Sequence, residues 1–167
     1  MADRVFVGLG SNCDGAEEML LRAEKEIASL PDVEILTRSP FYKTEPQGYA
    51  DQPWFTNAVI QLAVGGRWDA PALLSSLLAI ESQLGRIRSK DPALRFGPRA
   101  IDLDLLLFGK WHSQDPACLV PHPRMTERAF VLLPLRDIAP GLTIGGKTVE
   151  THLAALTWRK VGDHIFQ

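Results

Sequence analysis

Two aspartates in one apolar segment are the residues of this chain best suited to chemistry. Asp102 and Asp104 alternate with leucines between Ile101 and Phe108. In a β-strand, side chains two positions apart lie on the same face, about 7 Å apart. Two carboxylates at that separation repel each other and are costly to bury, so a positive partner must compensate them. Arginine ion pairs could do this; so could a divalent metal, and Mg²⁺ suits all-oxygen ligands best.

A basic segment leads directly into this strand. Residues 86–99 carry a single acid, Asp91, and five cations, which are Arg86, Arg88, Lys90, Arg95 and Arg99. A basic run is often only a solvated loop. Carboxylates that hold a metal, a metal that bridges phosphate oxygens and arginine forks that neutralise the remaining charge would together bind a polyphosphate. The position of the basic run next to the two aspartates favours this second interpretation.

Three further side chains have types that suit ligand recognition. His122 stands between Pro121 and Pro123 and can donate to a phosphate, although it could equally be an ordinary loop histidine. Phe55 and Asn57 share one face of a predicted strand. An aromatic ring can stack on a flat heterocycle while a carboxamide pairs with its edge. Strand aromatics usually belong to the core, but an asparagine on the same face is unusual there.

Two other patterns give weaker evidence of a functional site. Residues 141–148 satisfy the P-loop consensus, which functions only between a buried strand and a helix N-terminus. Leu142 and Ile144 instead predict a surface hairpin with its turn at Gly145 and Gly146. A zinc site is not predicted either, because its only candidates are three loosely spaced residues, His112, Cys118 and His122.

The elements that must position these residues follow from hydrophobic periodicity. Strands are predicted at 5–9, 33–41, 54–64 and 101–108, helices at 14–30, 69–85, 126–133 and 150–156, and a hairpin at 142–149. The order β-α-β-β-α-β predicts an α+β fold: a ferredoxin-like αβ sandwich whose mainly antiparallel sheet is covered by helices, with a C-terminal hairpin and helix. We expect Asp14 to cap the first helix, Leu78 to lie on the buried face of the second, and Pro134 to end the third.

Composition limits the class of protein. The 167 residues are 46% hydrophobic and 23% charged, with a formal net charge of −2, which predicts a single domain over residues 1–167. This charge does not indicate binding to nucleic acid or to a membrane surface, and no apolar run is long enough to span a bilayer. Without a signal peptide, Cys13 and Cys118 are expected to be reduced. We therefore expect a cytoplasmic protein, and a monomer.

Six short segments occur together in one enzyme family. They are GLGSN at 8–12, FYKT at 41–44, FTNA at 55–58, GRIR at 85–88, GPRAIDLD at 97–104 and VPHP at 120–123. Together they resemble the 6-hydroxymethyl-7,8-dihydropterin pyrophosphokinases of folate biosynthesis, over about residues 5–157. The segment at 97–104 is the most specific of the six.

The resemblance implies that the pyrophosphoryl group of ATP is transferred to the pterin hydroxymethyl group, with release of AMP. Asp102 and Asp104 would hold two Mg²⁺ ions, and Asp104 would accept the hydroxyl proton. The implied ATP-binding residues are Glu81, Arg86, Arg88, Arg99 and His122, of which Arg86 and Arg99 are counted with Asp104 as catalytic. The implied pterin-binding residues are Thr44, Gln47, Phe55, Asn57, Phe96 and Phe130.

The chain departs from the family at several positions. Phe96 replaces a tryptophan, Leu78 replaces a polar residue on the nucleotide side, and the stretch 89–95 is longer than usual. Two alternatives therefore stay open: a non-catalytic pterin- or nucleotide-binding module, and a nucleotidyltransferase with a DxD motif. The nucleotide product distinguishes them, because AMP indicates a pyrophosphokinase, ADP an ordinary kinase and free pyrophosphate a nucleotidyltransferase.

Overall fold

The computed structural model describes residues 3–46, 53–85 and 101–167. Its strands are β1 (Asp3–Ser11), β2 (Val33–Arg38), β3 (Tyr42–Thr44), β4 (Phe55–Val64), β5 (Asp102–Phe108), β6 (Thr143–Ile144), β7 (Lys147–Thr148), β8 (Arg159–Val161) and β9 (His164–Phe166). Its α-helices are α1 (Ala16–Ala28), α2 (Ala70–Gly85), α3 (Ala129–Ile138) and α4 (Val149–Ala154), and a 3-10 helix spans Met125–Glu127.

Seven of the strands in the described ranges form one sheet. Its order is β5-β1-β4-β3-β9-β8, and β2 also pairs with β4. All of its pairings are antiparallel except that between β3 and β9. The strands β5, β1, β4 and β2 with helices α1 and α2 have the order of a ferredoxin-like sandwich, so the predicted fold class is confirmed.

The sheet separates two hydrophobic cores. On one face, α1 and α2 cover the alternate residues of β1, β4 and β5; among them Leu9, Ile60 and Leu105 are at most 3% exposed. On the other face, α3 and α4 pack over Phe6, Val59 and Leu106. Alternation along the strands therefore divides each of them between the two cores.

Two details of the first two predicted helices are wrong. Gly15, with φ 72°, is the N-cap of α1 in place of Asp14, because glycine readily adopts this left-handed conformation. Leu78 is 50% exposed, because it lies one position beyond the buried stripe of Leu73 and Leu77. Asp69 does cap α2: its Oδ1 accepts from the backbone N–H of Ala72 at 2.8 Å.

Pro134 lies inside α3 and does not end it. A proline within a helix loses one backbone hydrogen bond. Its neighbours Leu132, Leu133 and Leu135 are at most 1% exposed, so the burial that α3 gains by continuing outweighs that loss. The segment predicted to start this helix at 126 is mostly the separate 3-10 turn.

The C-terminal region contains one element that the periodicity did not predict. The hairpin at 142–149 and the last helix occur as expected, as β6, β7 and α4. Beyond them, β8 and β9 form a second hairpin, and β9 joins the main sheet beside β3. Among the helices of the described ranges, none has the length and apolar character needed to cross a bilayer.

Candidate active site

Asp102 and Asp104 lie on the same face of β5, as the alternation predicts. Both are partly exposed, whereas Leu103 and Leu105 between and after them are 3% exposed on the opposite face. The face that carries the aspartates is the one that α3 covers further along at Leu106. The carboxylates therefore lie at an end of the sheet face that no described helix covers, and the other end of that face is a hydrophobic core.

Glycines stand opposite both carboxylates. On the neighbouring strand β1, Gly10 pairs with Asp102 and Gly8 pairs with Asp104. A Cβ at Gly8 would contact the Cβ of Asp104 at 3.8 Å, and a Cβ at Gly10 would lie 2.7 Å from the Oδ1 of Asn57. The absence of side chains at these two positions leaves a cradle on the sheet beside the aspartates.

The cradle and its two carboxylates fit Mg²⁺. This ion commonly takes one or two protein carboxylates and completes its octahedron with water and substrate phosphates. In the described ranges, no three His, Cys, Asp or Glu side chains come together as a larger metal cluster. The remaining ligands of an ion held here would thus come from the nucleotide and from water. His112, Cys118 and His122 do not form such a cluster.

Asn57 lies in the same row of the sheet as Asp102. Gly10 pairs with Asn57 on one side and with Asp102 on the other, so the two polar side chains are separated by two strand spacings, roughly 10 Å. The Nδ2 of Asn57 donates to the Oγ1 of Thr44 at 2.6 Å, and both residues are at most 7% exposed. This bond fixes the carboxamide with its oxygen toward Gly10. Phe55, two residues earlier on the same face, also borders Gly10.

His122 is anchored to the outer edge of β5. Its backbone N–H donates to the carbonyl of Leu106 at 2.9 Å, two residues beyond Asp104. The backbone N–H of Arg124 donates to its Nδ1 at 3.2 Å, so the neutral ring carries its proton on Nε2. Burial lowers the pKa of His122 from its ordinary 6.5; Asp104 opposes this shift, and Arg128 and Arg124 add to it. A neutral imidazole therefore lies near Asp104, and no described residue accepts a hydrogen bond from its Nε2–H.

Arg128 is a cation of this region that the sequence patterns did not single out. Its guanidinium lies 5.5 Å from the ring centroid of Phe130, and its charge acts on His122. It therefore lies near both Phe130, which is predicted to bind the pterin, and His122, which is predicted to bind phosphate. The motif VPHP ends before it, so no spacing rule indicated Arg128; its position two residues before the aromatic Phe130 was the available signal.

Glu81 contacts the backbone of the strand that carries the aspartates. Its Oε1 accepts from the backbone N–H of Leu103 at 2.6 Å. Among the described strands β5 lies at the edge of the sheet, so none of them binds this N–H on its outer side. Glu81 thus joins α2 to the residue between Asp102 and Asp104, and its predicted contact with the nucleotide remains a prediction.

Five predicted site residues lie outside the described ranges: Gln47, Arg86, Arg88, Phe96 and Arg99. The long stretch 89–95 lies there as well. Within the described ranges, the structure brings Asp102, Asp104 and His122 together around β5. It places Asn57, Thr44 and Phe55 across Gly10 from them.

The P-loop pattern does not belong to this site. Gly145 and Gly146 have φ values of 59° and 81° and form the turn between β6 and β7. Lys147 is an exposed residue of that hairpin, and α4, which follows, is six residues long. The surface hairpin predicted from Leu142 and Ile144 is therefore confirmed.

Comparison with known proteins gives a consistent result. Residues 6–140 match the sequence pattern of the family described as 7,8-dihydro-6-hydroxymethylpterin-pyrophosphokinase (HPPK). The chain is 42% identical over 153 residues to the 2-amino-4-hydroxy-6-hydroxymethyldihydropteridine pyrophosphokinase of Methylorubrum extorquens, covering 92% of this chain and 93% of that one. It is 43% identical over 157 residues to the protein of the same name from Pseudomonas aeruginosa, with 93% of both chains covered.

Solved structures resemble the fold. A crystal structure of HPPK-DHPS in complex with substrates has a TM-score of 0.66 at 13% identity and covers 93% of this chain. One of Plasmodium falciparum HPPK-DHPS with pterin and p-hydrobenzoate has a TM-score of 0.68 at 14% identity and covers 92%. This chain spans only 43% and 44% of those two chains.

Proposed function

The chain belongs to the 7,8-dihydro-6-hydroxymethylpterin-pyrophosphokinase family, and from this we propose that it transfers the pyrophosphoryl group of ATP to the hydroxymethyl group of 6-hydroxymethyl-7,8-dihydropterin. The products are the pterin diphosphate and AMP, in folate biosynthesis. The observation that carries this proposal is the row Asp102, Gly10 and Asn57, which sets a carboxylate and a carboxamide on one open sheet face with a glycine between them.

Asp102 and Asp104 would hold Mg²⁺, for which the donor set and the cradle at Gly8 and Gly10 are suitable. Mg²⁺ supplies charge neutralisation of the phosphates and makes a bound hydroxyl more acidic. The two aspartates orient the triphosphate against the sheet, and Asp104 accepts the proton of the pterin hydroxyl. The resemblance to the family implies two ions, and Asp102 and Asp104 are the residues that would hold them.

Asn57, Thr44, Phe55 and Phe130 would bind the pterin. A pterin ring edge presents donors and acceptors in one plane, and its faces are aromatic. The carboxamide of Asn57 is held by the 2.6 Å bond to Thr44, so it meets the ring edge without losing rotamer freedom on binding. Phe55 and Phe130 would stack on the two faces of the ring. Gln47 and Phe96 remain predicted contributors to this pocket.

His122 and the arginines would bind the triphosphate. The free Nε2–H of His122 can donate to a phosphate oxygen near Asp104. Arg128 adds a cation beside it, and Arg86, Arg88 and Arg99 remain predicted phosphate ligands. Phosphoryl-type transfer depends on in-line positioning and charge neutralisation, so a covalent nucleophile is not required.

The decisive experiment incubates the protein with ATP and 6-hydroxymethyl-7,8-dihydropterin and separates the nucleotide products. AMP in equal amount to pterin diphosphate supports the proposal. ADP would indicate an ordinary kinase, free pyrophosphate a nucleotidyltransferase, and unchanged ATP a non-catalytic binding module; each of these results would overturn the proposal.

The metal requirement is tested by chelation. EDTA should abolish turnover, and excess Mg²⁺ should restore it. Turnover that persists after exhaustive chelation would exclude the metal role of Asp102 and Asp104.

We further propose that the protein acts as a monomer in the cytoplasm, without a nucleic-acid or membrane partner. The support is the formal charge of −2 and the two cysteines, Cys13 and Cys118, which are expected to be reduced. Light scattering behind a sizing column should give a mass close to 18.5 kDa. A mass near twice that value at micromolar concentration would contradict the monomer.

A further inference from the structure

We propose that Gln167 is a positioning residue for the pterin pocket: its side chain fixes the start of α3, from which Arg128 and Phe130 project. The proposal rests on the proposed function, because it assigns Phe130 to the pterin. Gln167 follows β9 directly and lies outside the motifs and the predicted elements. Its role would be to set the spacing between two walls of the pocket.

Gln167 binds the backbone on both sides of Arg128. Its Nε2 donates to the carbonyl of Glu127 at 2.6 Å, and its Oε1 accepts from the N–H of Ala129 at 2.8 Å. A single side-chain amide thus satisfies one acceptor and one donor that are two residues apart. Such a pair of bonds restricts the backbone at Arg128 to one conformation, and with it the direction in which the side chain of Phe130, two residues later, leaves the helix.

The start of α3 needs such a partner. The first N–H groups of a helix have no acceptor within the helix, and an N-cap side chain usually supplies one. Here the N-cap is Arg128, an extended residue that makes no side-chain cap bond. The carboxamide oxygen of Gln167 takes that place, from 38 residues away in the sequence.

The strand β9, which precedes Gln167, is joined to β3 on the other side of the proposed pterin pocket. β9 pairs in parallel with β3, where Ile165 lies beside Thr44, and the backbone N–H of Lys43 donates to the carbonyl of Asp163 at 2.8 Å. Thr44 is the residue that holds the carboxamide of Asn57. Ile165 is only 2% exposed, so β9 is packed firmly into the second core. Residues 163–167 therefore connect the side chain that reads the pterin edge with the ring that stacks on its face.

Preorganisation is the expected consequence. If the start of α3 moves freely, pterin binding must first order Phe130 and Arg128, and the affinity falls by the free energy of that ordering. The nucleotide contacts that depend on β5 should be affected much less. We call the two hydrogen bonds of Gln167 to residues 127 and 129 the clamp. Its loss should lower the affinity for the pterin selectively, which a general loss of stability would not do.

The test compares Gln167→Ala, Gln167→Glu and a matched control, Val161→Thr, in the full chain. Gln167 is exposed, so its truncation leaves no cavity, and Val161 is 58% exposed in the same hairpin. Two dissociation constants are measured at equilibrium: that of a non-hydrolysable ATP analogue with Mg²⁺, and that of 6-hydroxymethylpterin in its presence. Hydrogen exchange at the amide of Ala129 is measured on the free proteins.

In Gln167→Ala, the pterin dissociation constant should rise about tenfold, since two hydrogen bonds of modest net strength are lost. That of the ATP analogue should change less than twofold, and the Ala129 amide should exchange faster. Gln167→Glu, which keeps an oxygen for Ala129, should show a smaller effect, and Val161→Thr none. An unchanged pterin constant, or equal weakening of both ligands, would overturn the proposal.

The outcomes separate this proposal from the proposed function. If the wild-type protein bound no pterin, the proposed function would fail whatever Gln167 does. If it bound pterin but exchange at Ala129 were the same in wild type and Gln167→Ala, the clamp would fail while the proposed function stood.

Discussion

The two faces of the sheet are built by the same three strands and serve different purposes. Toward α1 and α2, β1, β4 and β5 present side chains such as Leu9, Ile60 and Leu105, which are almost completely buried. On the other face, one end carries core residues such as Phe6 and Leu106, and at the end that no described helix covers the intervening positions are glycine, asparagine and aspartate. The apolar face supplies burial energy, and this allows the other face to carry two neighbouring carboxylates and gaps that contribute little to stability.

The largest effect is expected when a carboxylate is removed from the sheet face that carries Asp102 and Asp104. Asp102→Ala and Asp104→Ala should each lower turnover by at least about a thousandfold, because each removes a carboxylate that we propose holds Mg²⁺ for the reaction. The free energy of unfolding should stay within about 1 kcal/mol of wild type, as for substitutions outside the core. AMP formation and urea unfolding measure the two quantities. Activity within tenfold of wild type in both variants would refute the metal assignment.

The neighbouring position on the apolar face should respond in the opposite way. Leu105→Ala should reduce the free energy of unfolding by about 2–5 kcal/mol, because it opens a cavity against α2. Turnover per folded molecule, assayed well below the melting temperature, should remain within about threefold. A variant of normal stability that had lost its turnover would contradict the division of labour between the faces.

The open face also depends on a missing side chain. In Gly10→Ala, the new Cβ would lie 2.7 Å from the Oδ1 of Asn57, so the carboxamide must move away from its bond to Thr44. We expect about a tenfold rise in the KM for the pterin, equivalent to about 1.4 kcal/mol, with a smaller change in the KM for ATP. Gly66→Ala is the control, since nothing lies within 4 Å of the added atom. Equal KM values in wild type and Gly10→Ala would show that Asn57 does not read the pterin.

A carboxylate beside the apolar face should show a smaller, pH-dependent effect. Burial raises the pKa of Glu24 on α1 above its ordinary 4.5, although Arg38, 3.0 Å away, opposes the shift. A raised pKa means that the folded state binds more protons, so stability falls as pH rises from 4.5 through the folded pKa. Glu24→Gln should lose this contribution. The free energy of unfolding, measured from pH 4 to pH 8, should therefore fall less steeply with rising pH in Glu24→Gln than in the wild type. Parallel plots of this free energy against pH would contradict the raised pKa.

The smallest effect is expected far from both faces. Lys147→Ala changes the residue that matches the P-loop lysine, but this residue lies on the exposed β6–β7 hairpin. The dissociation constant of an ATP analogue should change less than twofold, as judged by calorimetric titration. A large loss of ATP binding by a folded Lys147→Ala protein would show that the nucleotide binds at the β6–β7 hairpin.

Local patterns in the sequence were enough to predict much of the fold and part of the candidate site. Alternation of apolar and polar residues placed Asp102 and Asp104 on one face, and helical spacing identified Leu73 and Leu77 as buried. Both follow because the periods of strand and helix are intrinsic to the backbone. The family motifs, which are also continuous in sequence, indicated the reaction.

The remaining features were decided by tertiary structure. The approach of Gly10 to Asn57, of Arg128 to His122, and of Gln167 to the start of α3 joins residues that no local period relates. Pro134 remains within a helix because its leucine neighbours are buried, although proline alone predicts an end there. Likewise, β9 is a strand because β3 offers it a free edge. Such features depend on which surfaces meet when the chain folds, and a sequence read locally does not contain that information.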